Sequence, residues 1–169
     1  MDDESSRFRW SIAREQHLEA SAEHVWSVIS APGNLERFHP FCASNPVDQW
    51  PGTGSRDAIH YYSGVVLDRL FKEWIDGGGY DLELFHRGHK CALVSWRLTP
   101  EGPGASRLRI LVRPDIPRGW PVALRWLPHA LFVRPWLRRY LRVALAGLAW
   151  HMRTGRVVRR NQFGRVWGF

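Results

Sequence analysis

Hydrophobic and polar positions divide the chain into three regions with different periods. Residues 7–20, RFRWSIAREQHLEA, alternate loosely enough to predict a strand. Ser21 then suits a helix N-cap, and the apolar stripe over residues 25–29 predicts a short amphipathic helix. Pro32-Gly33-Asn34 end that helix, and residues 35–38 predict one further helical turn.

The middle of the chain, from about residue 41 to residue 113, has a period of two. Turn sequences such as DGGG at 76–79 and PEGPG at 100–104 separate its apolar runs. This pattern predicts six successive strands joined by short turns. We therefore expect an antiparallel meander with one covered face and one solvated face.

The last third of the chain has a helical period. Between residues 136 and 154, apolar side chains recur every three or four positions, and the arginines fall largely on the other side. Pro135 suits the first turn of this helix, and Gly155 suits its C-terminal cap. An apolar segment interrupted by prolines, residues 117–133, precedes the helix, and the pattern leaves its role open.

Aromatic residues are unusually frequent, with ten tryptophans, eight phenylalanines and four tyrosines. Either the core is unusually aromatic or some of these rings line a cavity. The sequence FHPF at 38–41 raises the same question locally. This loop either gates a site, lines a pocket or caps the core.

This order of elements resembles the START-like (SRPBCC) superfamily, the helix-grip or birch-pollen-allergen-like fold, in its polyketide cyclase/dehydrase-like branch. The resemblance rests on LEASAEHVWSVISAPGNLERFHP near the start, GSRDAIHYY at the opening of a strand, and LAGLAWHMRTG followed by RRNQFG. It implies an α+β fold, in which a curved antiparallel seven-stranded sheet wraps around a long C-terminal helix, with two short helices after strand 1. The length of the chain fits a single domain over residues 1–169, and its composition predicts a basic aromatic tail over about 156–169.

The resemblance implies a cavity between the sheet and the long helix. Such proteins bind lipids, polyketides or aromatic compounds, and a minority catalyse cyclisation or dehydration in the same cavity. We therefore expect a cavity of several hundred Å³, the usual scale of a ligand pocket, with the turn at 38–41 as a lip of its mouth. The residues expected to line it are Trp26, Phe38, His39, His60, Tyr62, Trp74, Trp96, Tyr140, Leu141 and Leu145.

Candidate acids and bases come from the strands. His60 and Tyr62 are two residues apart and share one strand face, and His86 lies on another apolar strand. If these faces point inward, imidazole and phenol groups can hydrogen-bond a carbonyl or enol and move a proton during an aldol cyclisation or dehydration. Glu73 and Asp68 are further candidates if burial raises their pKa. If the polar side chains face solvent instead, the protein is a carrier of a hydrophobic molecule. A third alternative is a non-catalytic accessory domain that contacts an anionic membrane through its Arg/Trp-rich C-terminal third, and all three alternatives stay open.

Motifs for nucleotides, cofactors and metals are absent from the sequence. It contains no Walker A loop, GxSxG elbow or GxGxxG turn, and His86 and His89 have no accompanying ligand pair. We therefore expect no cofactor and no metal. Two cysteines make a poor disulfide framework, which favours a reducing, cytoplasmic setting. No run approaches the roughly 20 apolar residues that span a bilayer.

The net charge of +8 is unevenly distributed. Residues 1–106 hold 10 basic and 15 acidic residues, whereas residues 107–169 hold 14 arginines and one acid, Asp115. Tryptophans are interleaved with these arginines, a composition that suits an anionic membrane surface and a peripheral location. The alternatives are a solvated helix face and pairing with the acidic part of the chain. A nucleic-acid partner lacks a recognised motif and is not expected, and the sequence does not predict the oligomeric state.

Overall fold

The fold is a single antiparallel sheet packed against a long C-terminal helix. The computed structural model describes residues 7–115 and 126–168. The strands are β1 (Ile12–Leu18), β2 (Cys42–Ser44), β3 (Val47–Gln49), β4 (Arg56–Tyr61), β5 (Val66–Ile75), β6 (Gly79–His86), β7 (His89–Pro100) and β8 (Ser106–Pro114). Their order in the sheet is β1-β8-β7-β6-β5-β4-β2, with β3 also paired to β4.

Along the chain, two short helices follow β1 and the other helices follow β8, which is the order that the pattern predicts. They are α1 (Ala22–Ile29), α2 (Leu35–Phe38), α3 (Trp126–Pro128), a π-helical segment (His129–Val133) and α4 (Arg134–Thr154). The predicted α+β helix-grip fold is confirmed. The described sheet has eight strands instead of seven, because Pro46 has no N–H to donate and separates β2 from β3.

Local capping signals act where the sequence places them. The backbone N–H of His24 donates to Ser21 Oγ at 3.2 Å, which caps α1. Pro135 lies in the first turn of α4. Gly155 ends α4 in the left-handed region, with φ of 66°, and its N–H donates to the carbonyl of His151 at 2.7 Å.

One face of the sheet, which we call the inner face, is turned toward α4. The register aligns inward-facing apolar residues across neighbouring strands, as in the row Phe71, Leu82, Val94 and Val112. These side chains are buried, whereas their neighbours along each strand are more exposed. The predicted alternation of a covered and a solvated face therefore holds for the central strands.

The C-terminal tail packs against α2 and the loop that follows it. The N–H of Val158 donates to the carbonyl of Arg37 at 2.9 Å, and the N–H of Asn161 donates to the carbonyl of Pro40 at 3.1 Å. Val158 and Val166 are buried, so this basic segment is anchored by backbone bonds and two apolar side chains. None of the helices in the described ranges has both the length and the apolar character needed to cross a membrane.

The structure describes only the second half of the apolar segment 117–133. Residues 117–125 lie outside the described residues. Residues 126–133 are helical and lead without a break into α4. A π-helical turn often marks a functional position in a helix, and this one lies directly before the residues that line the cavity described next.

Candidate functional site

A cavity of about 220 Å³ lies between the inner face of the sheet and α4. It is smaller than the several hundred Å³ expected from the sequence. Its polar lining residues are few, namely His39, Tyr61, Arg69, Cys91 and Tyr140. The rest of the wall is apolar and includes Phe38, Ile59, Leu82, Val94, Trp96, Ile110, Val112, Leu137, Leu141, Ala144, Leu145 and Leu148.

The cavity approaches the surface at one end. Most of the lining residues that keep partial exposure lie where β6 and β7 meet, where β8 ends and where α4 begins. We call this region the open end; it comprises Leu84, Cys91, Pro114, Val133 and Trp136. The loop at 38–41 lies elsewhere and all four of its residues are buried. The expected lip is therefore a wall of the cavity, with Phe38 and His39 lining it.

Three polar side chains in the wall are joined by hydrogen bonds. His39 Nε2 lies 2.8 Å from the Tyr140 hydroxyl, which lies 2.9 Å from the Tyr61 hydroxyl. The ring of Phe41 stacks on Tyr140 at 5.7 Å between centroids, which helps to hold the phenol in place. We call His39, Tyr61 and Tyr140 the polar network.

Burial keeps the polar network neutral. Desolvation, reinforced by the charge of Arg69, lowers the pKa of His39 to about 3. Desolvation also raises the pKa of both tyrosines above the ordinary value. The N–H of Phe41 points at His39 Nδ1 at 3.4 Å, so we assign the ring proton to Nε2, which then donates to Tyr140. The network offers neutral hydrogen-bond donors to the cavity, and His39 is a weak base near neutral pH.

A buried ion pair lies beside the polar network. Arg69 lines the cavity, and its Nε donates to Asp57 Oδ1 at 2.6 Å while Nη2 donates to Oδ2. Asn45 Nδ2 also donates to Asp57 Oδ2, at 3.0 Å. Burial opposes the charge on Arg69, but Asp57 raises the pKa of the guanidinium above its ordinary value. The positive charge of Arg69 is therefore neutralised by Asp57 on the adjacent strand.

The low pKa of His39 predicts a pH-dependent stability. Between pH 6.5 and pH 3 the unfolded chain binds a proton at this position that the folded chain does not. The free energy of unfolding should therefore fall as the pH falls, by about 2 kcal/mol between pH 7 and pH 5 from this group. Urea unfolding at the two pH values measures the loss.

The His39→Asn variant should lack this part of the pH dependence. Burial also lowers the pKa of His129, so His129→Asn is the companion variant that removes the second contribution of the same sign. If His39→Asn showed the same change in unfolding free energy between the two pH values as the wild type, His39 would not be neutral in the folded protein.

The predicted lining residues separate into two groups in the structure. The cavity brings together Phe38, His39, Trp96, Tyr140, Leu141 and Leu145. Trp26, His60, Tyr62 and Trp74 do not line it. The first group comes from α4, from the end of α2 with the residue after it, and from the centre of β7. The helical and strand periods are regular in α4 and β7.

Strand β4 presents the face opposite to the one expected. Asp57, Ile59 and Tyr61 are buried on the inner face, so His60 lies on the outer face and Tyr62, just beyond the strand, is 42% exposed. The physical reason is the two-residue period, because an error of one position reverses every side chain of a strand. The sequence-based expectation that His60 and Tyr62 line the cavity was therefore wrong.

The tryptophans Trp26 and Trp74 belong to an aromatic core. Their rings lie 5.5 Å apart, and Trp74 stacks on Tyr80 at 5.6 Å. Tyr80 in turn stacks on Trp96, at 5.4 Å, and Trp96 is the member that also reaches the cavity. Some of the aromatic rings therefore form an aromatic core, and others line the cavity.

A β-bulge decides the position of Glu73. The pairing of β5 with β6 shifts after Phe71, which turns Trp74 inward and Glu73 outward. The Glu73 side chain is 56% exposed and lies 3.6 Å from Arg97. His86 lies at the end of β6, where its Nδ1 contacts the carbonyl of Val66 at 3.1 Å. Neither of these two candidate acid–base residues lines the cavity, and Asp68 is exposed.

The site residues that sequence reasoning missed are Tyr61, Arg69 and Asp57. A signal for the first was present, because Ile59 is the most apolar residue of its strand and shares a face with Tyr61. Arg69 and Asp57 had no such signal, since charged residues in a strand are usually exposed. Within the described residues no group of histidines, cysteines and acids is arranged to hold a metal ion.

The arrangement of sheet, helix and cavity defines an α+β ligand-cavity protein of the helix-grip class. The model of the family described as polyketide cyclase/dehydrase and lipid transport matches residues 9–153. The chain belongs to this family. A search of curated proteins gave no significant match.

Solved structures share the fold at low sequence identity. A START superfamily protein from Mycobacterium smegmatis is 12% identical with a TM-score of 0.66, and the match covers 85% of this chain and 97% of that one. The Zhui aromatase/cyclase from Streptomyces sp. R1128 is 10% identical, with a TM-score of 0.64 and coverage of 85% and 93%. DynU16, from the dynemicin biosynthetic locus, is 16% identical with a TM-score of 0.64 over 88% of this chain, which spans about half (49%) of that protein. These likenesses show the fold.

Proposed function

We propose that this protein binds a compact hydrophobic molecule that carries a carbonyl or hydroxyl oxygen. The observation that carries the proposal is the polar network in an otherwise apolar wall. An apolar pocket with a few converging polar groups is the usual pattern of a small-molecule site. The apolar walls supply binding energy, and the polar groups fix the orientation of the ligand.

The polar network favours a neutral oxygen on the ligand. Tyr61 and Tyr140 keep their protons, so both can donate to a ligand oxygen by exchanging hydrogen-bond partners. Asp57 already neutralises the charge of Arg69, so the cavity does not need a carboxylate on the ligand to balance that charge. A ketone, phenol or enol satisfies these donors without adding a charge to the cavity.

The size of the cavity favours an aromatic or polyketide-type compound over a long-chain lipid. Its volume of about 220 Å³ is below the usual range for drug-sized ligands. Trp96, Trp136 and Phe38 present aromatic surface to the ligand. A carrier role fits this arrangement, since the open end provides an exit. We place the protein in the cytoplasm as one domain over residues 1–169, in keeping with its two free cysteines.

A cyclase or dehydrase is the second candidate function. The polar network supports it, because two neutral phenols can polarise a ketone and stabilise the enolate that forms in an aldol step. A base is harder to supply. No carboxylate is among the described residues that line the cavity, His39 has a pKa of about 3, and burial raises the pKa of Cys91 to about 11. Binding is therefore the first proposal.

Native mass spectrometry of the gently purified protein tests binding, followed by organic extraction of the released compound. We expect one apolar molecule per chain that contains oxygen. For the oxygen contact, Tyr61→Phe should weaken binding of the identified compound by roughly tenfold, because a lost hydrogen bond costs about 1–2 kcal/mol. Quenching of tryptophan fluorescence, to which Trp96 and Trp136 in the cavity wall contribute, measures the affinity.

Tyr62→Phe is the matched control, because it removes the same hydroxyl from the next residue on the opposite face. It should leave the affinity unchanged. A protein with no adduct that also fails to bind a panel of aromatic ketones and phenols would refute the proposal. Equal effects of the two tyrosine variants would refute the role of the polar network.

A further inference from the structure

Five arginines surround one groove on the surface, between β1 and the start of α4. They are Arg14, Arg134, Arg138, Arg139 and Arg142, and all five are exposed. We call this set the arginine groove. Ala130 and Pro135 complete its lining, so no carboxylate lies among the described residues that form it.

The arginine groove lacks acidic neighbours in its lining, whereas two arginines on the outer face of β8 have one. Arg107 and Arg109 lie on the outer face of β8, within 3.6 Å and 3.5 Å of Glu15. Within the described ranges, Arg134, Arg138 and Arg142 form no ion pair. Clustered like charges repel one another and create a positive potential that attracts an anionic partner.

Large apolar side chains project beside the arginine groove. Leu131 is 59% exposed and Phe132 is 72% exposed, and both lie in the π-helical segment directly before Arg134. Trp167 is 90% exposed, and its carbonyl accepts a hydrogen bond from Trp136 Nε1 at 2.7 Å. Trp136 and Val133 belong to the open end of the cavity, so these apolar side chains lie next to it along the chain or through a hydrogen bond.

We propose that this surface docks on an anionic lipid bilayer. The arginine groove binds lipid phosphates, while Leu131, Phe132 and Trp167 enter the interfacial layer. A soluble anionic partner such as a nucleic acid satisfies the arginines but leaves Leu131 and Phe132 in water. The interface of a bilayer accommodates both, because it places phosphate and hydrocarbon side by side, and tryptophan and arginine are favoured there.

Docking in this orientation turns the open end of the cavity toward the bilayer. Val133 lies between Phe132 and Arg134 and lines the cavity, so the contact and the ligand path share one stretch of helix. A hydrophobic ligand then passes between cavity and bilayer without crossing water. The docking surface does not depend on the identity of the cavity ligand, and vesicle binding can fail while the cavity still binds its ligand.

Co-sedimentation of the full chain with vesicles tests the proposal. We expect binding to phosphatidylcholine vesicles that contain phosphatidylglycerol and much weaker binding to pure phosphatidylcholine. The triple variant Arg134→Glu, Arg138→Glu and Arg142→Glu should lower the partition coefficient at least tenfold, on the order of the contribution of three surface arginines. Leu131→Ser with Phe132→Ser should also weaken binding and reduce the shift of tryptophan fluorescence on vesicles.

The matched control is the triple variant Arg153→Glu, Arg156→Glu and Arg159→Glu. These three arginines are exposed and lie at the other end of α4 and in the tail. This variant changes the net charge equally and should alter the partition coefficient by less than about threefold, since charges far from the bilayer are screened. Circular dichroism checks that each variant is folded. The proposal is overturned if anionic vesicles do not bind, or if both triple variants lose binding equally. It is also overturned if the groove binds a single-stranded oligonucleotide but no vesicle.

Discussion

Replacement of Asp57 by asparagine should lower the free energy of unfolding by about 3–5 kcal/mol, because it leaves a buried arginine charge without its partner. The Arg69 side chain is 3% exposed and the Asp57 side chain is fully buried. Arg69 cannot shed its proton at any accessible pH. Asparagine keeps the size of the side chain, so the loss reports the charge and not a cavity. Urea unfolding at neutral pH measures it.

Two further variants isolate the cause of that loss. Glu73→Gln removes the more distant of the two acidic partners of Arg97 in an exposed cluster and should change the unfolding free energy by less than about 1 kcal/mol. Combining Asp57→Asn with Arg69→Met removes the uncompensated charge and should recover much of the stability. A loss below about 1 kcal/mol for Asp57→Asn would show that Arg69 reaches water in the folded protein.

Replacement of Ala144 by phenylalanine should reduce occupancy of the cavity at least tenfold. Ala144 lies on α4 and lines the cavity, so an added ring occupies space that the ligand needs. Overpacking costs about 1–3 kcal/mol in a filled core, whereas this ring has free volume to enter, so the protein should remain folded. Native mass spectrometry of the variant and titration with the extracted compound measure the loss.

Ala43→Phe is the control for the added ring. Ala43 is exposed on β2, outside the cavity, so this variant has the same change in composition at the surface. It should carry the same amount of ligand as the wild type. If the Ala144 variant also kept its ligand, the compound would bind at another place, and the cavity would not be the functional site.

These two predictions depend on residues that sequence reasoning treated differently. Ala144 follows from the regular apolar stripe of α4, which places one side of that helix against the sheet. Asp57 looked like a polar residue after a turn, and its burial follows only from Arg69, 12 residues later in the sequence and on the adjacent strand. Propensity and periodicity describe neighbours along the chain, whereas an ion pair between strands depends on register.

The sequence by itself determined the order of the elements, their approximate ends and the type of fold. Caps, turns and hydrophobic periods act over a few residues, so Ser21, Pro135 and Gly155 carry their signals locally. Only the tertiary structure decided which face of β4 points inward, where a bulge redirects β5, and that Tyr61 meets Tyr140 and His39. Those features depend on contacts between residues distant in sequence, and a shift of one position reverses them while the local pattern stays almost the same.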